Sequence, residues 1–376
     1  MKLRKDKWEQ VRLAEICELI NGRAYKADEL LTTGTPVLRV GNFFSNDKWY
    51  YSNLILEDKK YCDNGDLLYA WSASFGPRIW EGGKVIYHYH IWKVAVSENA
   101  IKEYLYFALE GETKKIKASS HGTTMLHITK TDMENHLIFL PPLEEQNQIA
   151  ILFQSIETAM EQVEGQEKKL KTLQEKLISG LLSPEPVFGT LLNSNNCKPT
   201  SFGEIAECDK KYPEHLNETT RFIGLENIES GNFQLQGWGE IADGTTFTKR
   251  FSKGDILFGK RRAYLKKVAI ADFDGVCSGD ILVIKAKDKK MLQELLPFYI
   301  SSDAFMQHAV STSAGSLSPR TKWKDLAELK VSIPDLTIQA KILEVMQQIE
   351  ITISQLKQQK TTLKNLKEKL LNEILG

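Results

Sequence analysis

KTLQEKLISGLL (171–182) returns 193 residues later as KNLKEKLLNEIL (364–375). A segment written twice at a fixed offset marks an internal repeat, and that repeat decides how the rest of the chain is read. In the same register Pro141 falls on Pro334, Leu143 on Leu336, Gln146 on Gln339, Ile149 on Ile342, Ile156 on Ile349 and Glu157 on Glu350. Gly122 and Asp132 likewise fall on Gly315 and Asp325. Further upstream the register slips. RLAEICEL (12–19) resembles SFGEIAEC (201–208) and NGDLLYAW (64–71) resembles KGDILFGK (253–260), both at an offset of 189, while LRVGN (38–42) resembles IGLEN (223–227) at 185. Each half therefore reads as one variable globular domain followed by one long helix.

From Pro141 the pattern changes from strand-like alternation to a heptad. LPPLEEQ suits a helix start, with prolines at the opening and Glu144 and Glu145 in the first turn, where the positive end of the helix dipole lies. With Ile149 at position a, the a series is Ile149, Ile156, Val163, Leu170 and Leu177, then Ile342, Ile349, Leu356, Leu363 and Leu370. The d series is Leu152, Ala159, Gln166, Leu173 and Gly180, then Val345, Thr352, Gln359, Leu366 and Glu373. Apolar a positions throughout both copies predict a coiled coil, with Leu173 and Leu366 in its interface. Gln166 and Gln359 fit a polar layer that fixes register, and equally a partly exposed glutamine. SPEPVFGTLLNSNNCKPTS between the halves is a linker by composition. A linker of roughly 15–19 residues reaches only ~50–65 Å, so the second domain begins where the first helix ends and its own helix runs back. The expected architecture is α+β: two similar globular domains separated by an antiparallel two-helix coiled coil with a pseudo-twofold axis. The expected boundaries are 1–140, 141–182, 183–199, 200–333 and 334–376. A helix pair of this kind acts as a ruler between two heads, and one extra heptad in each helix (~10 Å) would lengthen whatever it measures.

Within the heads, β-branched and aromatic alternation predicts strands at 35–40, 65–71, 84–96, 221–227, 254–260, 266–273 and 280–286, with helices at 101–110 and 295–310. GKRRAYLKK (259–267) carries Lys260, Arg261, Arg262, Lys266 and Lys267 with no acid, and follows a strand directly. Arginine there suits phosphates or guanine edges, and Tyr264 adds a flat contact. The matching stretch of the first head, AWSASFGPRIW (70–80), offers Trp71, Ser72, Ser74 and Arg78 instead. A second pair of loops, SSHGTTMLHITK (119–130) and STSAGSLSPRTK (311–322), supplies His121, Thr123, Lys130, Arg320 and Lys322. Small hydroxyl residues beside cations suit phosphate contacts that position without specifying. Each cluster also fits an ordinary solvated polar loop. HYH (88–90) offers two histidines, but alternate residues of a strand point to opposite faces, which argues against a metal pair.

Composition narrows the function classes. Lys+Arg and Asp+Glu both total 49, so the formal net charge is zero and any nucleic-acid binding rests on local clusters. No run of 18 apolar residues would span a membrane, and the basic N-terminus lacks a signal-peptide core. Cys17, Cys62, Cys197, Cys208 and Cys277 form no CxxC pair, which points to a reducing cytoplasm rather than a disulfide framework or zinc site. GxxxxGK[ST], HExxH and GxSxG are missing from the sequence, and GWGEIADG (237–244) is not a dinucleotide-binding fingerprint. EDK (57–59) and ETK (112–114) resemble nuclease triplets, which arise by chance in a chain 26% charged.

The repeat, the LPPLEEQ- and IPDLTIQ-type helix starts, the KLISGLL-type helix end and the GDLLYAW and GDILFGK strands together resemble the DNA-specificity subunit of type I restriction–modification enzymes, across nearly the whole chain. That resemblance implies two target-recognition domains. Each would read one half of a bipartite, asymmetric site in double-stranded DNA, with the coil setting an unread spacer. It implies two methyltransferase subunits docked along the helices, methylating adenine with S-adenosylmethionine. It also implies restriction–translocase subunits that use ATP and magnesium, and no catalysis or cofactor on this chain. IPDLTIQAK is a weaker copy of LPPLEEQNQ, so the two docking sites are expected to be unequal. The competing expectations are a coiled-coil scaffold or adapter that touches no DNA, and a stand-alone nuclease or methyltransferase.

Overall fold

A computed structural model describes residues 3–44, 48–72, 75–119, 128–182, 192, 196–208, 219–287 and 289–375. It divides into two compact units, Met1–Glu164 with Gln358–Gly376, and Gly165–Lys357. This division cuts across the expected boundaries, because each unit takes one half of each long helix.

In the first unit the strands are β1 (Glu9–Arg12), β2 (Cys17–Asn21), β3 (Thr35–Leu38), β4 (Tyr50–Ser52), β5 (Tyr61–Cys62), β6 (Leu67–Ala70), β7 (Gly76–Ile79), β8 (Val85–Tyr87), β9 (Ile91–Val96) and β10 (Leu137–Leu140). In the second they are β11 (Cys197–Ser201), β12 (Ala206–Cys208), β13 (Arg221–Ile223), β14 (Gly239–Glu240), β15 (Lys249–Phe251), β16 (Ile256–Gly259), β17 (Val268–Ile270), β18 (Gly275–Cys277), β19 (Ile281–Ala286) and β20 (Lys330–Pro334). The sheet orders are β2-β9-β6-β7, β4-β3-β8-β5 and β1-β10 in one head, and β12-β19-β16-β17, β14-β13-β18-β15 and β11-β20 in the other. Strand for strand these are the same topology, including the single parallel pairing in each four-stranded mixed sheet, β3 with β8 and β13 with β18. The sequence repeat is therefore a structural repeat of two α+β heads.

The repeated Gly-Asp pair has a local cause. Gly65 (φ 87°) and Gly254 (φ 90°) take left-handed turns that a side chain disfavours. Asp66 then accepts the Asp63 amide at 2.8 Å, and Asp255 accepts the Ser252 amide at 2.7 Å. Each turn launches a central strand, β6 or β16, all of whose residues are buried. The expected strand at 84–96 is in fact two, β8 and β9. His88, Tyr89 and His90 form the turn between them, closed by the Ile91 amide on the His88 carbonyl at 2.9 Å. A turn does not alternate faces as a strand does, and the His88 and His90 rings lie 4.8 Å apart. The expected helix at 295–310 is also two, α3 (Leu296–Ser301) and α4 (Asp303–Ser311), broken at Ser302, whose hydroxyl caps α4 through the Phe305 amide.

Helix α1 (Lys102–Ser119) lies in the first head, and the long helices are α2 (Leu143–Gly180) and α5 (Leu336–Leu375). At 1.5 Å per residue each is about 60 Å long. In the first unit Ile149, Phe153 and Ile156 from the start of α2 share a core with Leu371, Ile374 and Leu375 from the end of α5, and with Tyr104 and Phe107 of α1. In the second, Leu177 and Ile178 at the end of α2 pack against the cluster that holds Leu181 just beyond it and Ile342 and Met346 from the start of α5. Start meets end in both units, so the pairing is antiparallel.

The seam differs from the expected one. Ile149, Ile156, Val163, Ile342, Ile349 and Leu356 are buried, and Leu170, Leu177, Leu363 and Leu370 are half-buried. The companion series is not the expected d series. Leu173 and Leu366 are 45% and 43% exposed, and Gln166 and Gln359 are exposed too. The buried companions lie one residue further on: Phe153, Met346, Ile353, Lys367 and Ile374, with Met160, Glu167, Gln174 and Lys360 half-buried. A 4-3 spacing replaces the assumed 3-4 spacing at the same mean period. The polar members of this series are paired. Lys367 Nζ lies 2.7 Å from both Glu110 and Glu157, and Gln174 reaches Glu350 at 3.5 Å. Burial pulls the Lys367 pKa down, but the two carboxylates outweigh it and leave the ammonium above its ordinary range.

Candidate nucleic-acid interface

In the second head, β16 ends at Gly259 and the basic stretch begins. The chain turns tightly there: Arg262 (φ 53°) and Lys266 (φ 50°) both adopt left-handed backbone around the 3-10 turn Ala263–Leu265. Non-glycine residues rarely hold this conformation, and two of them in five residues mark an over-determined loop. The 311–322 loop over-determines it. The Arg262 amide donates to the Pro319 carbonyl at 2.7 Å, the Thr321 amide to the Lys260 carbonyl at 3.1 Å, and Arg261 bridges Arg320. Two stretches far apart in sequence thus form one surface.

Its charges are organised around an acid that the sequence reading passed over. Asp280, in the β18–β19 turn, accepts Arg320 Nε at 2.6 Å and Nη2 at 3.2 Å, with Arg261 Nη1 at 3.5 Å. These bonds hold the Asp280 carboxyl below the usual carboxylate range, against partial burial pushing the other way. Lys266 pairs with Asp303 at 3.0 Å, and Lys267 donates to the Leu225 carbonyl at 2.5 Å. Arg262 is exposed and reaches the Leu317 carbonyl at 3.4 Å; Tyr264 is 55% exposed. Lys260 is half-buried, and Lys322 is exposed before the short helix Trp323–Ala327.

The first head builds the same position from other chemistry. Trp71 donates its amide to the His90 carbonyl at 3.1 Å, as Lys260 does to Asp280 at 2.9 Å, so Trp71 and His90 stand where Lys260 and Asp280 stand. The Trp71 indole N–H donates to the Tyr89 carbonyl at 2.8 Å, and its ring stacks on Trp92 at 5.8 Å. Ser72 is buried, and Arg78 donates to the Phe43 carbonyl. Lys130 pairs with Glu134 at 3.4 Å on the short helix Lys130–Glu134. Ser74, His121 and Thr123 lie outside the described residues.

Beside Trp71 the structure adds residues not singled out in the sequence. Arg39, Asn42, Lys48, Tyr50, His88 and His90 line a cleft of ≈ 250 Å³. Arg39 lies 5.2 Å and Lys48 5.8 Å from the Tyr50 ring centre. Burial, then the neighbouring His90 and Arg39 charges, push the His88 pKa down to about 4, so it is neutral at physiological pH. In the second head Arg221 stacks 4.2 Å over Trp238, which is 47% exposed. The signal missed in each case is spatial: a cation next to an aromatic ring across two strands leaves no sequence spacing. Among the described residues no group of three His, Cys, Asp or Glu is placed to hold a metal ion, and no helix is long and apolar enough to cross a membrane.

Residues 5–172 and again 201–365 match the type I restriction modification DNA specificity domain. The chain belongs to that family. Among its type I specificity relatives, the EcoDI specificity subunit of Escherichia coli is 28% identical over 282 residues, covering 66% of this chain and 62% of that subunit. The chain thus spans less than two thirds of the EcoDI subunit's length. The MjaVIII specificity subunit of Methanocaldococcus jannaschii is 23% identical over 403 residues, covering 98% of this chain and 92% of that one. The solved type I restriction–modification S subunit from M. genitalium shares the fold over 100% of this chain and 98% of its own, with a TM-score of 0.61 at 15% identity. A structure from a study of type I restriction–modification complex assembly and conformational transition gives 0.58 at 17% identity, over 99% and 98%.

Proposed function

We propose that the chain is the non-catalytic DNA-recognition subunit of a type I restriction–modification complex, each head reading one half of a bipartite, asymmetric site. The observation that carries this reading is one scaffold position with two chemistries: Lys260 and Asp280 with their arginines in one head, Trp71 and His90 with the Arg39 cleft in the other. Two heads with one fold and different contact groups suit two different half-sites. Arginine forks suit guanine, whereas amide, imidazole and aromatic groups suit adenine edges and thymine methyls. Zero net charge is consistent with a reader whose partners supply much of the phosphate grip.

The same reading assigns the helices a docking role. Leu143 and Leu336, at equivalent positions, are 49% and 37% exposed, and Leu173 and Leu366 are 45% and 43% exposed. Apolar groups outside the seam in both repeats suit two copies of one partner, here the methyltransferase subunits, which would carry S-adenosylmethionine. Restriction–translocase subunits would carry ATP and magnesium. The test is selection of sequences from a random duplex library by the chain co-purified with its methyltransferase subunits. Replacing Arg262 and Tyr264 by alanine is expected to relax one half-site by about 1–3 kcal/mol per contact and leave the other half-site intact. Enrichment of no sequence by the unaltered complex would leave the scaffold reading in its place.

A further inference from the structure

The basic cluster of the second head is not a set of independent cations. Its two arginines from separate loops, Arg261 and Arg320, converge on one carboxylate. We propose that Asp280 sets the base preference of the second head by holding Arg261 and Arg320 as one preorganised unit. It is a positioning residue, acting through the arginines. The inference rests on the DNA-reading function proposed above.

The geometry fixes every member of the unit. The Asp280 main chain is tied on both sides: its amide donates to Ser278 Oγ at 3.2 Å and its carbonyl accepts the Lys260 amide at 2.9 Å. Arg320 spends Nε and Nη2 on the two carboxylate oxygens, and Nη1 reaches the Ser318 carbonyl at 3.3 Å. Arg261 Nη2 donates to Ser318 Oγ at 3.2 Å. One acid and one serine therefore hold both guanidinium planes, and the β-bridge between Arg261 and Arg320 holds both backbones. The Asp280 side chain is 20% exposed and the two arginines 40% and 46%, so the acid lies beneath its cations. A guanidinium has five N–H donors. Three on Arg320 are engaged within the head, and the rest are held in fixed directions.

Two consequences follow, with opposite signs. A side chain ordered before binding loses less rotamer freedom on contact, so a fixed fork discriminates base edges more sharply than a mobile one. The carboxylate also repels phosphates, so it weakens the sequence-independent grip. Loss of the acid should therefore tighten random binding while blunting preference. A residue that merely stabilises the fold would lower both.

The experiment uses the full chain co-purified with its methyltransferase subunits, a random-sequence duplex, and the duplex that the unaltered complex selects from a random library. Asp280→Asn, which keeps the volume and removes the charge, is expected to bind the random duplex several-fold more tightly, with a log–log salt slope steeper by about 1. It is expected to lose roughly tenfold in preference at base pairs of one half-site only. Arg320→Lys keeps the charge and removes the fork. It is expected to lose the same preference, and it decides the matter if Asp280→Asn fails to fold. Retention of the selected half-site by a folded Asp280→Asn, or a parallel loss of random and selected binding, overturns the role of Asp280 and leaves DNA reading intact. Failure of the unaltered complex to select any sequence overturns both.

Discussion

Gln146 and Gln339 make the same three hydrogen bonds in the two repeats. Gln146 donates to the carbonyls of Pro141 at 2.8 Å and Asn99 at 3.2 Å and accepts the Ile101 amide at 2.7 Å. Gln339 donates to Pro334 and Lys290, each at 2.9 Å, and accepts the Leu292 amide at 2.9 Å. Both are fully buried, so one amide ties the start of the long helix to the segment that leads into α1 or α3. The match was legible in the sequence as a coincidence at offset 193; its purpose was not, because the partners are backbone groups without a sequence signature. Gln146→Leu or Gln339→Leu is expected to cost about 3 kcal/mol, since three buried backbone groups each lose a partner. Hydrogen exchange should show faster opening at Ile101 or at Leu292 respectively. Asp280 was passed over for the same reason. It sits 19 residues from Arg261 and 40 from Arg320 in sequence, and only the sheet brings the three together.

At the scale of elements, periodicity found both long helices and the short linker gave their antiparallel pairing, but periodicity chose the wrong second seam. Leu173 and Leu366 made one candidate series look apolar, whereas the series that packs contains Glu167, Gln174, Lys360 and Lys367. A hydrophobicity count cannot recognise a seam whose polar members are paired, as Lys367 is by Glu110 and Glu157. Phe153→Ala is expected to destabilise the first unit by about 3–5 kcal/mol, and Leu173→Ser and Leu366→Ser each by less than about 0.5 kcal/mol. Denaturant titration of the full chain separates these outcomes; equal costs would restore the rejected seam. The same limit explains the strand at 84–96. Continuous β-branched and aromatic content hid the His88–His90 turn, which has no glycine or proline to mark it, and with it the cleft that the turn helps to line.

For the whole molecule, the repeat was the most legible feature, because topology survives divergence that side chains do not. β2-β9-β6-β7 and β12-β19-β16-β17 share an order although Trp71 has become Lys260 and His90 has become Asp280. The family follows from the same repeat, matched once in each half. The bases read by each head were not legible, because contacts of this kind depend on fixed directions of a few side chains rather than on residue type alone. The proposed function is that this chain gives a methyltransferase complex its target sequence. Mapping methylated adenines across the host genome with and without this gene tests it most directly. One bipartite, asymmetric motif, methylated on both strands, is expected to disappear when the gene is deleted and to return when it is restored; an unchanged methylation map would overturn the proposed function.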